Sequence, residues 1–148
     1  MLKKISIAID AMGGDNSPDK TIDGINLFLK KNRSNDNFIL NIFVAEGVIK
    51  KKIKNLKINS NKINIINSSK IVSDNETPMT AVKNSKSSSM WDCIQHQLEG
   101  KSDISLSAGN TGVLLVISRM ILKMMNGVNK PALAGLWPNQ KGMNVVLD

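Results

Sequence analysis

Short apolar segments typical of strands alternate along this chain with segments typical of helices, and this alternation limits the possible folds most. A first strand is predicted over 4–10, where Ile5, Ile7 and Ile9 alternate with smaller or polar residues. Ser17 and Pro18 then supply an N-cap and a first helical residue. Strands that alternate with helices favour a mainly parallel sheet covered on both faces. We therefore expect an α/β fold with three layers, α/β/α.

The same patterns predict the remaining elements. Strands are expected over 38–45, 62–66, 103–107, 132–136 and 144–147, and helices over 48–56, 78–99 and 113–125. The helix over 78–99 is expected to break within 85–89, because short hydroxyl side chains compete for backbone hydrogen bonds. Gly100 is expected to end it.

The last predicted strand ends on a carboxylate, Asp148, as the first ends on Asp10. In three-layer α/β proteins the ligand site is built from several loops beyond the carboxyl ends of the strands. Because no residue follows Asp148 to form such a loop, we interpret residues 1–148 as the first part of a longer fold, incomplete at its C-terminus. Part of any site is then expected to be missing.

The charge balance points to an anionic partner. The 148 residues carry 20 Lys and Arg against 12 Asp and Glu, a formal net charge of +8. Arg33 and Arg119 are the only arginines, and the aromatic residues are three Phe and two Trp with no Tyr. Base reading and base stacking favour arginine and aromatic side chains, so we expect no nucleic-acid partner. The lysines over 50–57 are interpreted as a solvated face or as a docking surface for an acidic protein or anionic lipid.

Cysteine and histidine are too few for two common kinds of site. One cysteine, Cys93, excludes an internal disulfide, and with one histidine, His96, it cannot form a four-ligand zinc site. The two residues lie three apart in a helical stretch with no base-nucleophile-acid set around them, which disfavours a catalytic dyad. We expect a reducing compartment. No signal peptide is recognisable and no apolar run approaches the ~18 residues of a spanning helix, so we expect a soluble or at most peripheral protein.

The first candidate site is a glycine turn between a strand and an apolar helix, formed by Gly109, Asn110, Thr111 and Gly112. Glycine allows close backbone approach, and the amides at a helix start carry a partial positive charge that suits an oxyanion. The alternative interpretation is a structural turn in which Asn110 caps the helix.

The second candidate follows the first strand and comprises Asp10, Gly13, Gly14 and Asp15. Two acidic groups beside a double glycine can orient an anion through its protons, orient a cation, or hold basic residues. The segment matches neither the dinucleotide nor the P-loop glycine pattern. Alternatively, Asp15 and Ser17 only cap the next helix.

The third candidate combines lysine and serine side chains near a predicted helix start: Lys83, Lys86, Ser88 and Ser89. Lysine supplies a point charge and serine a hydrogen-bond donor, and both suit a phosphate. A solvated polar turn is the alternative interpretation.

Together, these motifs and two later segments resemble the PlsX family of bacterial phosphate acyltransferases. The segments that carry the resemblance, in chain order, are IAIDAMGGD at 7–15, Pro78 with AVK at 81–83, Lys86 with SSM at 88–90, SAGNTG at 107–112, KPAL at 130–133 and VVLD at 145–148. The resemblance covers the whole chain.

The resemblance implies an enzyme of phospholipid synthesis that moves a fatty acyl group from acyl carrier protein to inorganic phosphate, giving acyl phosphate. It also implies a fold similar to isocitrate dehydrogenase and phosphotransacetylase. The expected protein is a cytoplasmic homodimer, loosely associated with the membrane and with glycerol-3-phosphate acyltransferase. No cofactor and no metal ion are expected. The rival interpretations are a non-catalytic nucleotide- or anion-binding module and a lysine-rich surface-binding protein.

The residue roles that follow from this resemblance are hypotheses about substrate binding. The turn at 109–112 and the cluster of Lys86, Ser88 and Ser89 would hold phosphate or the developing oxyanion, and the segment 10–15 would form the adjoining wall. No catalytic residue is identified. The chain departs from the family pattern at Val113, where alanine is usual, and at Asn84 and Ser85, where basic residues are frequent. Since family members are longer, residues 1–148 are expected to be inactive alone.

Overall fold

Four parallel strands form the main sheet of the computed structural model, which describes residues 3–45, 48, 60–72 and 77–147. The strands are β1 (Ile5–Asp10), β2 (Phe38–Ala45), β3 (Ile63–Ser68) and β4 (Ile104–Ser107), and the helices are α1 (Asp19–Lys31), α2 (Pro78–Asn84), α3 (Ser89–Leu98) and α4 (Thr111–Leu122). A 3-10 turn at Ser60–Lys62 precedes β3. The strands lie in the order β3-β2-β1-β4. The predicted parallel α/β sheet is thus confirmed.

Helices pack on both faces of this sheet. On one face, Ile25 of α1 joins a buried cluster with Leu40 and Ile42 of β2. Side chains of a strand point alternately to opposite faces, and on the other face Phe43 packs with Cys93 of α3. Helix α4 packs on α3 rather than directly on the sheet: Val113, Ile117 and Ile121 lie against Met90 and Ile94.

The chain changes direction across the sheet between β1 and β4. From β1 it passes through α1 to β2, and it reaches β4 by way of α3 on the opposite face. The helix after β4, α4, stays on the α3 side. The connections that leave β1 and β4 therefore diverge to opposite faces and open a crevice at the carboxyl ends of these two strands. Ligands of open α/β sheets bind at such a switch point.

Two further strands form a hairpin outside the parallel sheet. Strand β5 (Ala134–Asn139) pairs antiparallel with β6 (Gly142–Leu147). The strands predicted over 132–136 and 144–147 are thus present, but they pair with each other and not with the parallel strands. Their side chains are exposed throughout.

The observed helix boundaries agree closely with those predicted from the sequence, apart from a few local differences. The predicted break in 85–89 is confirmed, because α2 ends at Asn84 and Ser88 caps α3. The predicted N-cap at Ser17 is wrong: Pro18 occupies the cap position without a side-chain cap hydrogen bond, and the Ser17 hydroxyl donates to the carbonyl oxygen of Gly13. Helix α4 ends at Leu122, since Lys123 has φ of 66°.

The helix predicted over 48–56 lies, except for residue 48, outside the described residues. Within the described ranges no helix has the length and apolar character needed to cross a bilayer.

Candidate functional site

A cavity of about 410 Å³ opens at the carboxyl ends of β1 and β4. Gly14 and Asp15 line it from the turn after β1, and Ala108, Gly109, Asn110, Thr111 and Gly112 line it from the turn after β4. The adjacent pairing of β1 with β4, which places Asp10 beside Ser107, sets this geometry. The structure therefore brings the first and second candidate motifs together although they lie far apart in sequence.

A buried hydrogen-bond chain joins the two turns. Asp10 is 2% exposed, and its Oδ2 accepts a hydrogen bond of 2.7 Å from the Ser107 hydroxyl. Ser107 Oγ in turn accepts from the amide of Gly109 at 3.1 Å. The second carboxylate oxygen, Oδ1, accepts from the amide of Met12 at 3.1 Å. A buried carboxylate needs hydrogen-bond donors, and Asp10 finds them in the Met12 amide and in Ser107. Asp10 therefore holds the backbones of both turns in place.

Gly13 and Gly14 let the two turns approach each other. A methyl group on Gly13 would lie 2.7 Å from both Asp10 Oδ2 and the Gly109 amide nitrogen. Gly14 has φ of +89°, and a methyl group there would lie 2.8 Å from the carbonyl oxygen of Ala108. Both positions require glycine, since backbone atoms on the facing turn occupy the space of a side chain.

The cavity also lies at the start of α4. Asn110 is the N-cap, and its Oδ1 accepts from the amide of Val113 at 3.1 Å. The first amides of a helix lack partners within the helix and carry a partial positive charge, so this end favours an anion. Thr111, the first helical residue, is exposed and contributes a hydroxyl. The capping interpretation of Asn110 is confirmed, and it is compatible with a ligand at the same turn.

The charges around the cavity are unusual for an anion site. Among the described residues that line it there is no Lys or Arg, and Asp15 is exposed at its edge. Attraction for an anion at this point must come from backbone amides and the dipole of α4. A carboxylate beside a bound anion is favourable only when the anion has a hydroxyl group. Asp15 can then accept a hydrogen bond from that hydroxyl.

The third candidate cluster lies outside the lining of the cavity. Ser88 and Ser89 are buried, and they join the end of β3 to the start of α3: Ser88 Oγ accepts from the amide of Trp91 at 3.2 Å, and the Ser89 amide donates to the carbonyl of Lys70 at 3.1 Å. Lys86 is exposed. The neighbouring Met90 approaches the glycine turn, since a methyl group on Gly109 would lie 2.7 Å from Met90 Cε.

Cys93 and His96 do not form a nucleophile and base pair with each other in this structure. Cys93 is 1% exposed and its Sγ donates to the carbonyl of Leu106, while His96 Nδ1 hydrogen-bonds to Ser102 Oγ at 2.8 Å. Burial, reinforced by the charge of Asp10, raises the pKa of the Cys93 thiol to about 12. The thiol is therefore protonated at neutral pH and is a poor nucleophile.

Ser107 is the residue of the site that the sequence interpretation passed over. It lies within the segment SAGNTG at 107–112, but the sequence alone assigns it no role. The signal available was its position: Ser107 follows Leu106 at the end of a strand, on the face opposite to that side chain. Its link to Asp10 depends on the pairing of β1 with β4, which no local pattern reveals.

The chain is similar in sequence to proteins of one family over nearly its whole length. A sequence profile of the family described as "Fatty acid synthesis protein" matches residues 5–148. A protein of Pelagibacter ubique named "Phosphate acyltransferase" is 50% identical over 148 residues, which cover all of this chain and 43% of that protein. Proteins with the same name from Azorhizobium caulinodans and Fusobacterium nucleatum are 34% and 37% identical over 100% and 93% of this chain, and 41% and 40% of their own lengths.

The chain thus spans about two fifths of the length of these curated relatives. The profile match, by contrast, extends over nearly every residue and includes both glycine turns and the strands that carry them. The chain belongs to the fatty acid synthesis protein family.

Proposed function

We propose that this chain forms the phosphate-binding part of an enzyme that transfers a fatty acyl group from acyl carrier protein to inorganic phosphate. The observation that carries the proposal is the cavity of about 410 Å³ between two glycine turns at the start of α4. The names of the curated relatives support an acyl and a phosphate substrate. Inorganic phosphate fits the cavity by charge and by its need for several hydrogen-bond donors.

In the proposed reaction, phosphate itself is the nucleophile. An oxygen of hydrogen phosphate forms a bond to the carbonyl carbon of the acyl thioester, and the carbon–sulfur bond breaks. The bonding electron pair leaves with the carrier's sulfur, which takes up the proton of hydrogen phosphate. The products are acyl phosphate and the free carrier thiol. No serine, cysteine or histidine nucleophile is required, in agreement with the buried, protonated thiol of Cys93.

The protein's contribution to this step is positioning and stabilisation of charge. The turn at 109–112 would hold the phosphate oxygens through backbone amides, and the buried pair of Asp10 and Ser107 would keep that turn in place. Asp15 would accept a hydrogen bond from the hydroxyl of hydrogen phosphate and so orient the attacking oxygen. Gly13 and Gly14 would form the wall that brings Asp15 to the edge of the cavity.

Lys86, Ser88 and Ser89 would support the same region from the start of α3. Ser88 and Ser89 fix that helix start, and through Met90 it contacts the glycine turn. The exposed ammonium of Lys86 would add long-range attraction for phosphate. An acidic carrier protein would also be attracted by the net charge of +8. The homodimer, the cytoplasmic location and the loose contacts with the membrane and with glycerol-3-phosphate acyltransferase are proposals that rest on the family resemblance.

The binding half of the proposal is tested by titrating the isotope-labelled 148-residue chain with inorganic phosphate and following its backbone amides by NMR. We expect shifts at Gly14, Gly109, Thr111 and Gly112. Replacing Asn110 and Thr111 together with alanine should weaken phosphate binding about tenfold, the effect of losing roughly 1.4 kcal/mol. Thr77→Ala is the matched control, because Thr77 caps α2 in the same way that Asn110 caps α4. Unchanged phosphate affinity in the double variant would contradict the assignment.

Turnover is tested in a hybrid in which this chain replaces the matching 148 residues of the Pelagibacter ubique relative. We expect the hybrid to form acyl phosphate from acyl carrier protein thioester and inorganic phosphate. Phosphate binding at the glycine turn without any acyl phosphate, under conditions where the relative is active, would favour a non-catalytic anion-binding module.

A further inference from the structure

A second, smaller cavity lies on the α1 side of the same glycine turn. Its volume is about 240 Å³, and its lining residues are Ile9, Asp10, Thr21, Leu106, Ser107 and Ala108. Ala108 also lines the larger cavity, so this residue is the wall common to both. The smaller cavity is not needed for the proposed binding of phosphate.

The chemistry of the smaller cavity is apolar. Ile9 and Leu106 lie side by side through the pairing of β1 with β4, and they point to the same face of the sheet. The cavity continues along β4 as an uncovered apolar strip, because Leu106 is 50% exposed and Ile104, next on that face, is 47% exposed. Leu106 and Ile104 thus extend the apolar surface of the cavity along β4.

Three of the six lining residues are polar: Asp10, Thr21 and Ser107. The Asp10 carboxylate and the Ser107 hydroxyl are hydrogen-bonded to each other at 2.7 Å, and Ser107 also accepts the amide of Gly109. The side chains of Asp10 and Ser107 are thus satisfied within the protein and point to the face opposite to Ile9 and Leu106, so a hydrocarbon chain on the Leu106 face leaves neither of them unpaired.

We propose that this cavity and the strip of Leu106 and Ile104 bind the hydrocarbon chain of the acyl group. This inference rests on the proposed function. The acyl carbonyl carbon must come within bonding distance of a phosphate oxygen, so the first carbons of the chain must lie close to the amide-lined cavity. An apolar cavity that shares the small side chain of Ala108 with the phosphate site meets this requirement. Leu106 and Thr21 then determine how well the chain is held.

Alkyl phosphonates test the proposal on the 148-residue chain, because they combine a stable phosphate-like group with a hydrocarbon tail. Methylphosphonate probes the phosphate site alone, and decylphosphonate, used below its critical micelle concentration, probes both cavities. We expect decylphosphonate to bind at least about tenfold more tightly than methylphosphonate, since each methylene removed from water can raise affinity by up to about fourfold. Amide shifts should extend to Ile9, Thr21 and Leu106.

Leu106→Asn, which adds a polar group without a charge, should remove the gain from the decyl tail and leave methylphosphonate affinity unchanged. Leu98→Asn is the matched control: Leu98 is 51% exposed and lies at the end of α3, outside both cavities. Retained methylphosphonate binding in the Leu106 variant also shows that it is folded.

The outcomes separate this inference from the proposed function. If neither phosphonate binds at the glycine turn, the assignment of the phosphate site is wrong, and the inference about the acyl chain is then wrong as well. If methylphosphonate binds and the decyl tail adds nothing, or adds equally in the Leu106 variant, only the acyl cavity is overturned. The strip would then be a surface for another protein segment.

Discussion

The two ends of the parallel sheet both contain buried polar groups, but they use them differently. Toward the amino end, Asn41 donates to Ser6 Oγ at 2.9 Å and to Ser102 Oγ at 3.0 Å. Asn64 donates to Asn41, and His96 hydrogen-bonds to Ser102. At the carboxyl end, Asp10 and Ser107 hold backbone amides of two turns around an open cavity.

The polar side chains at the amino end hydrogen-bond to one another, whereas those at the carboxyl end also hydrogen-bond to backbone amides and so fix the conformation of two turns. The amino-end cluster closes on itself: Asn41 and Ser102 are each 4% exposed, and their amide and hydroxyl groups are partnered within the protein. Such a network stabilises and specifies the packing of the sheet. At the carboxyl end, Asp10 and Ser107 instead hold the turn that leads into α4, so that the start of this helix faces solvent. We infer that the first cluster serves stability and the second serves binding.

The largest expected effect is that of Gly13→Ala, which changes the contact between the two turns at the carboxyl end of the parallel sheet. The added methyl group meets Asp10 Oδ2, the Gly109 amide and Ser107 Oγ within 2.8 Å, so the two turns must separate. We expect phosphate binding to be lost and the free energy of unfolding to fall by about 2–3 kcal/mol, as for overpacking of a well-filled site. Phosphate titration and urea denaturation measure the two effects.

Gly24→Ala provides the control for that substitution. Gly24 lies in α1 and a methyl group there meets nothing within 4 Å. The variant should be more stable by about 0.5–1 kcal/mol and should bind phosphate normally. Equal losses in both glycine variants would mean that the close approach of the turns has no special role.

A smaller and more selective effect is expected from comparing Asn41→Ala with Ser107→Ala. Asn41→Ala removes three side-chain hydrogen bonds, two from Asn41 to Ser6 and Ser102 and one from Asn64 to Asn41, and should lower the free energy of unfolding by about 2 kcal/mol without changing phosphate affinity. Ser107→Ala should lower phosphate affinity about tenfold with a loss of stability of about 1 kcal/mol. If both variants lose affinity in proportion to stability, the proposed division between the two ends is wrong.

The smallest effect concerns the charge of His96. Partial burial and the nearby Lys101 lower the pKa of His96 below its ordinary value of 6.5, against the opposing effect of Glu99. The unfolded chain therefore takes up the proton at a higher pH than the folded chain. The contribution to stability is full above pH 6.5 and is lost as the pH falls through the folded pKa.

Because His96 is the only histidine, its ring protons can be followed directly by NMR. We expect a titration midpoint below 6.5 and a urea midpoint that declines less steeply between pH 6.5 and 5 in His96→Gln. A midpoint above 6.5 would show that the ring is not held in its neutral form.

Local patterns were enough to predict most elements of the fold. The strand over 38–45 was predicted with the bounds that β2 has, because its apolar run is bounded by polar residues on both sides. The break before α3 was predictable because serine competes for backbone hydrogen bonds. Both glycine turns were found for the same local reason, since each follows a strand and precedes a helix.

Features that depend on contacts distant in sequence were not predictable in this way. The pairing of β5 with β6 in a separate hairpin depends on strand register, which the apolar pattern of either strand does not specify. The role of Ser107 depends on Asp10, 97 residues earlier. The wrong N-cap at Ser17 has a local cause instead: its hydroxyl donates to the carbonyl oxygen of Gly13, four residues earlier, in the turn before the helix.

The burial of Cys93 bears on the proposed transfer of an acyl group from a thioester. A reactive thiol in such a protein could capture the acyl group or form a mixed disulfide with the released carrier. Cys93 is the single cysteine of the sequence, is 1% exposed and has a pKa near 12, so both side reactions are strongly suppressed in the folded state. Oxidants in the surroundings should therefore leave the folded chain chemically intact at this residue.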